Sequence, residues 1–158
     1  MKANVRPAET GDERVLASLN RFVHESHLKR RPEHFKATNI DELTEWFNSK
    51  LSDSSWHVWI AEERGEPIGY ICAVAQEREE SPFGVARRYM EIDQLVVAPR
   101  HRKRGVARAL VRAVVGAALL RGIQDVELSS WAFNEEAHEA FRKLGFAPRV
   151  IRFGMDLQ

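Results

Sequence analysis

One cysteine, two tyrosines and six prolines among 158 residues set the first limits on this chain. A lone Cys72 has no internal partner, so no disulfide staples the fold. Cys72 also lies in an apolar, strand-like run and reads as core filler rather than as a nucleophile. No stretch approaches the roughly 18 apolar residues of a membrane span, so no membrane partner is expected. The opening MKANVRPAET lacks the apolar core of a secretion signal, and the expected compartment is the cytoplasm. The six histidines form no ligand cluster, so no metal is expected. Neither sign of charge prevails, with 24 Lys and Arg against 23 Asp and Glu. Repeats, low-complexity tracts and Gly/Ser linkers are missing as well, and 1–158 reads as one domain.

What is present is a regular alternation of periodicities. Residues 2–7 read as a short strand closed by Pro7. Thr10 to Glu13 forms a T-x-x-E capping box before Val15, Leu16, Leu19, Phe22 and Val23 at helical spacing. The basic segment His27–Phe35 reads as a loop broken by Pro32. A helix is predicted over 41–50, with Leu43, Trp46 and Phe47 facing inward. Strands are predicted at 57–62 and 68–76, joined by a turn around Gly65, Glu66 and Pro67. After a polar loop at 77–88, a strand runs from Tyr89 to Ala98. Val106, Leu110, Ala113, Val114, Ala117 and Leu120 then mark a helix over 105–121. A strand at 125–133, a helix at 134–144 and a last, cleanly alternating strand at 149–155 complete the chain. The order β-α-α-β-β-β-α-β-α-β describes a mixed α/β sandwich with helices on both faces of one sheet.

The segment Leu95-Val96-Val97-Ala98-Pro99-Arg100-His101-Arg102-Lys103-Arg104-Gly105-Val106-Ala107 carries the chemistry. A strand stops at Pro99, a basic turn follows, and a helix begins near Gly105. The first amides of a helix have no internal acceptor and carry the positive end of its dipole. They suit a phosphate or pyrophosphate, and Gly105 lets the backbone approach its oxygens. Arg102, Lys103, Arg104 and Arg108 add cations at a helix end where cations are misplaced unless an anion joins them. A solvated basic face is the plainer alternative, and a nucleic-acid phosphate is the competing ligand. Against the latter, aromatics are not interleaved with the basic cluster and the whole chain is near neutral.

Arg102-x-x-Gly105-x-Ala107 matches the R/Q-x-x-G-x-G/A signature of the GNAT superfamily of N-acetyltransferases, and Leu95-x-Val97-x-Pro99 resembles the strand leading into it. Downstream, Asn134-x-x-Ala137-x-x-x-Phe141-x-x-x-Gly145-Phe146 is similar to the family's second motif. The resemblance implies an α/β fold with a mixed, mostly antiparallel sheet and a splayed strand pair. It also implies acetyl-CoA as cosubstrate, with no metal. The pantetheine arm would lie between the strand of Leu95–Val97 and the strand of Leu128–Ala132. Backbone groups of Val96 and Val97 would meet its amides, and the amides of Arg102, Lys103, Arg104, Gly105, Val106 and Ala107 would hold the pyrophosphate. Asn134 would contact the arm or simply cap its helix. Phe141 departs from the pattern: many relatives carry a tyrosine there, thought to protonate the departing thiolate. Phenylalanine cannot, and this leaves a non-catalytic acyl-CoA-binding or regulatory module as an alternative. Tyr89, Tyr70, His138 or water are the substitutes for that acid.

Amide formation needs a neutral amine, and with a pKa of ~10.4 only about one molecule in 10³ is neutral at pH 7. A base is therefore valuable. Glu91 and Asp93 stand two apart on the strand leading to Leu95 and Val97, and strict alternation puts all four on one face. Both are candidate bases; salt bridges to Arg87, Arg88 or a cross-sheet residue are the alternative. The acceptor is a small-molecule or peptide amine, with the loops at 27–39 and 77–88 shaping its site. The alternating segment Arg149–Met155 predicts pairing with a second copy, a homodimer.

Overall fold

The computed structural model describes residues 3–158. Lys2, where the sequence predicts the first strand to begin, lies outside the described residues. The chain divides into a unit ending at Leu128 and a second unit, Ser129–Gln158.

In the first unit, five strands stand in the order β1-β2-β3-β4-β5. They are β1 (Asn4–Pro7), β2 (Trp56–Glu63), β3 (Glu66–Arg78), β4 (Arg87–Val97) and β5 (Val126–Leu128). The first four pair antiparallel, and β5 joins β4 in parallel. The helices are α1 (Glu13–Arg30), α2 (Ile40–Leu51) and α3 (Val106–Leu120). Leu16, Leu19 and Phe47 pack with Val58, Ile60, Tyr70, Cys72 and Val96 on one sheet face. Successive strand residues point to opposite faces, so Gly69 belongs to the other face, where a Cβ would come near Leu110 of α3. The layered α/β sandwich with helices on both faces is therefore as the sequence predicts.

Several local expectations are corrected. α1 runs through His27–Arg30 rather than yielding to a loop. Nothing in that stretch breaks a helix before Pro32, and its basic residues suit the negative end of the dipole. Thr10 does not cap α1; Asp12 occupies that position, and its carboxylate accepts from the amide of Glu9 and from Arg6. The β2–β3 turn is Arg64-Gly65, both with positive φ, so Glu66 and Pro67 belong to β3. Such a two-residue turn matches the twist of the paired strands. Trp46 remains 36% exposed and Leu120 90% exposed, so neither is core. The buried stripe of α3 is Val106, Leu110, Val111, Val114 and Ala118.

The second unit holds α4 (Glu135–Lys143), with no strand among its described residues. The strand predicted over 125–133 is confined to Val126–Leu128, and the one over 149–155 does not form. Alternation makes a strand only where another strand supplies the ladder. Ile151, Phe153, Met155 and Leu157 instead stand 72–88% exposed.

Gly69 marks the tightest approach in the sheet: a Cβ there would come within 2.6 Å of the Val96 carbonyl oxygen, which is backbone and cannot swing aside. Gly69→Ala should destabilise the fold by about 1–3 kcal/mol, the usual cost of forcing atoms into a packed interior. Urea denaturation checks this, and an unchanged midpoint would contradict it.

Candidate active site

The register of β4 against β3 slips by one residue between Cys72 and Ala73. Cys72 faces Gln94 and Ala73 faces Ile92, which leaves Asp93 as the extra residue of a β-bulge. The bulge inverts the alternation downstream. Glu91 opposes Val74 and Gln94 opposes Cys72, so these two side chains share the α1/α2 face although they lie three apart. Leu95 and Val97, opposite Ile71 and Gly69, take the α3 face. Strict alternation, which would put Glu91, Asp93, Leu95 and Val97 together, is thus broken at Asp93.

Gln94 turns into the core because partners await it there. Its Oε1 accepts from the Tyr70 hydroxyl at 2.6 Å, and Asn20 Nδ2 donates to Tyr70 Oη at 2.9 Å. Tyr70 and Asn20 are buried, and each would be costly to leave unpaired. Burial drives the Tyr70 hydroxyl well above its ordinary pKa, which makes it a poor proton donor for a departing thiolate. Burial likewise pushes the Cys72 thiol up, so Cys72 is core and unreactive, as its apolar surroundings predict.

Asp93 is different. The residue's overall surface is open, yet desolvation by its neighbours raises its carboxyl above the usual aspartate range. The Lys50 charge and a hydrogen bond from Gln94 hold the rise in check. A carboxylate so placed is a stronger base than an ordinary surface aspartate. The alternative partners for Glu91 and Asp93 are engaged elsewhere. Arg87 is paired with Asp125 and, at 2.7 Å, with Glu127, while Arg88 lies 3.5 Å from Glu77.

Beyond the bulge β4 loses its outer neighbour. The β4–β5 ladder ends at Ile92 and Leu128, and among the described residues no strand pairs with that edge of Asp93–Val97. This is the parting of the strand pair that the sequence resemblance implies. β4 then leads through Ala98 and a 3₁₀ turn, Pro99–His101, to Gly105, which caps α3 with φ 85° and offers no side-chain acceptor. A Cβ on Gly105 would meet nothing within 4 Å. Lys103 also takes a positive φ, 60°, and turns the backbone toward the helix start. These features fit a diphosphate. Arg102 is fastened by Nε to the Val97 carbonyl at 3.2 Å. Arg104 points back to Glu63 at 3.2 Å, and His101 lies 3.3 Å from the same carboxylate. Glu63 thus anchors the turn from the β2–β3 hairpin. Sequence reasoning misses it, since nothing local in residues 56–66 refers to a turn some forty positions on.

In the second unit, Asn134 caps α4 by accepting from the Ala137 amide at 3.4 Å, so its capping role is realised. Phe141 packs edge-on to Phe146 with centroids 6.2 Å apart, and His138 Nε2 meets the Trp131 carbonyl at 2.9 Å.

A strand that leads through a basic turn into a helix start with no side-chain cap is the arrangement that the sequence resemblance implies. Comparison with known proteins agrees. The profile of the acetyltransferase (GNAT) family matches residues 20–146, and the chain belongs to that family. N-acetyltransferase 8 of Rattus norvegicus is 31% identical over 109 residues, covering 69% of this chain and 46% of that protein. The chain thus spans less than half the length of that relative. The BH1408 protein of Bacillus halodurans, solved as a mutant, shares the fold with a TM-score of 0.92 at 22% identity, over 98% of this chain and 99% of that one. The aminoglycoside N-acetyltransferase AAC(6')-Iy, solved in complex with CoA, does so with a TM-score of 0.77 at 18% identity, over 99% and 96%.

The raised pKa of Asp93 has a sign that can be tested. A carboxyl whose folded pKa exceeds its unfolded one weakens the fold once ionised. That penalty is absent below the unfolded value of about 3.9 and complete above the folded one. Asp93→Asn should therefore melt at or above the parent temperature at pH 7, with the gain vanishing toward pH 3. Lower stability at pH 7 would contradict the assignment.

Proposed function

We propose that this chain is an N-acetyltransferase that moves the acetyl group of acetyl-CoA to a primary amine by direct attack, with Asp93 as the general base. The observation that carries this is the bulge. It sets a basic carboxylate on the same strand as the open edge and the anion turn, with only Gln94 and Leu95 between Asp93 and Val96.

Acetyl-CoA supplies an activated thioester. The residues do the rest. The amides from Gly105 to Ala107 receive the pyrophosphate, with Arg102, Lys103 and Arg108 adding charge around it. The backbone of Val96 and Val97 aligns the arm as a further strand would be aligned. Asp93 takes a proton from the incoming ammonium, directly or through one water, and the neutral amine nitrogen forms the new bond to the acetyl carbon. The carbon–sulfur bond then breaks, the thiolate departs, and the second proton of the nitrogen passes to the thiolate or to water as the amide forms. With a thiol pKa near ~8.5 the thiolate is a fair leaving group, so the phenyl ring of Phe141 in place of a phenol need not stop the reaction. Glu91, one strand position before Ile92, is the second candidate base. Dependence on acetyl-CoA, an intracellular thioester, supports a cytoplasmic setting.

A panel of primary amines with mass detection of the acetylated product tests the reading. Asp93→Asn should lower turnover at neutral pH by about 10²–10⁴-fold, the range of a lost general base. Much of that loss should return as pH approaches the amine's own pKa. Glu91→Gln should stay within about tenfold of the parent, and CoA affinity should hold in both. In the parent, activity should fall with pH through a value above the ordinary aspartate range. CoA binding without turnover of any amine would make the chain a binding module instead. If both variants track the parent at every pH, neither carboxylate is the base.

We further propose a homodimer. The exposed row Ile151, Phe153, Met155 and Leu157 supports this reading, because it alternates as a strand does. Sedimentation at micromolar concentration should give twice the chain mass, and Phe153→Glu should shift it toward the monomer. A single monomeric species in the parent would reject the dimer.

A further inference from the structure

Trp46, Trp56 and Lys50 form a group that the sequence assigns to the core or to nothing. The two indole rings stand 5.6 Å apart at 82°, making two walls of a corner. The Lys50 ammonium sits in that corner, 5.1 Å from the Trp46 centroid and 4.6 Å from that of Trp56. Trp56, Val74 and Glu91 oppose one another across three strands and so share the α1/α2 face. The corner therefore lies in line with Glu91 of β4, two residues before the bulge, and the Lys50 charge reaches Asp93. Lys50 is no fixture there, for no ion pair among the described residues holds it. The other carboxylate that feels it, Asp53, is exposed and already accepts from the amide and hydroxyl of Ser55. Its stem is a flexible four-carbon chain whose head can swing into water at little cost.

Building on the reading of Asp93 as the base, we propose that Trp46 and Trp56 form the acceptor subsite for a protonated, unbranched alkyl primary amine, and that Lys50 occupies it as an internal stand-in until substrate displaces it. The negative faces of two indoles attract an ammonium without removing its proton. A nearby carboxylate that holds its proton more firmly than usual completes the site. A cation bound between the rings is then delivered beside the base as an ammonium, the form in which nearly all of an alkylamine exists at neutral pH. Lys50 has the same chemistry as such a substrate, so the protein competes with its own acceptor.

The test is equilibrium binding without acetyl-CoA, followed by indole fluorescence. The probes are n-pentylamine, N-acetyl-lysine N-methylamide and, as the neutral control, 1-pentanol. Lys50→Met should bind at least one of the two amines about tenfold more tightly than the parent, and Trp46→Leu in that background should abolish the gain. A gain for pentylamine indicates a free amine substrate, and one for the lysine derivative a peptide side chain. Trp46 is the ring to remove because it is partly exposed, and the melting temperature of each variant checks that the fold survives. Equal or weaker amine binding by Lys50→Met, or an equal gain for 1-pentanol, would overturn the proposal. CoA titrated into the same samples separates the two readings. Absent CoA binding sinks the acetyltransferase reading whatever the amines do, and normal CoA binding with no amine gain sinks the subsite alone.

Discussion

The extra residue in β4 is the constraint from which the site follows. A strand that kept its alternation through residue 93 would carry Gln94 to the α3 face and leave the buried Tyr70 hydroxyl without its acceptor. The bulge resolves that conflict by turning Gln94 inward, and Asp93 is the residue left over. It also bends the strand, as bulges do, at the point where the ladder to β5 ends. The position of Asp93 and the reversal of Leu95 and Val97 thus have one origin.

The turn that follows is held by different means. Arg102 is tied to the last carbonyl of β4, and Arg104 and His101 reach a single carboxylate on the neighbouring hairpin. These contacts fix the backbone while the helix amides remain uncapped. Glu63 and His101 are largely buried, while the Arg104 side chain is about half exposed. The effect of these contacts is on conformation: they brace the turn in which Lys103 and Gly105 take left-handed geometry.

Much of this is legible in the sequence where the signal is local. The helix start at Gly105 follows from a strand, a proline and a basic turn within a dozen residues, and α2 and α3 lie within a residue or two of their predicted ends. The bulge is not legible, because Ile92-Asp93-Gln94 alternates plausibly in either register and the deciding partners lie on α1 and β3. Glu63 is hidden for the same reason. Trp46 misleads because its spacing with Leu43 and Phe47 is helical, yet only Phe47 of the neighbouring pair is fully buried, and Trp46 lies at the margin of the stripe. The segment 149–155 carries a strand's pattern without a strand's neighbour, and pattern alone cannot supply one.

The trio of Asn20, Tyr70 and Gln94 has a consequence for how this protein can change. Each member bonds to the other two: removing the phenol leaves only the long 3.4 Å contact from Asn20 to Gln94, removing Gln94 leaves the phenol proton without an acceptor, and removing Asn20 takes the donor from the phenol oxygen. No single substitution to an apolar residue is neutral, whereas replacing all three together by side chains of matching volume can be. Such positions do not drift one at a time. They change together or not at all, and a descendant that abandoned the trio would lose the reason for its bulge.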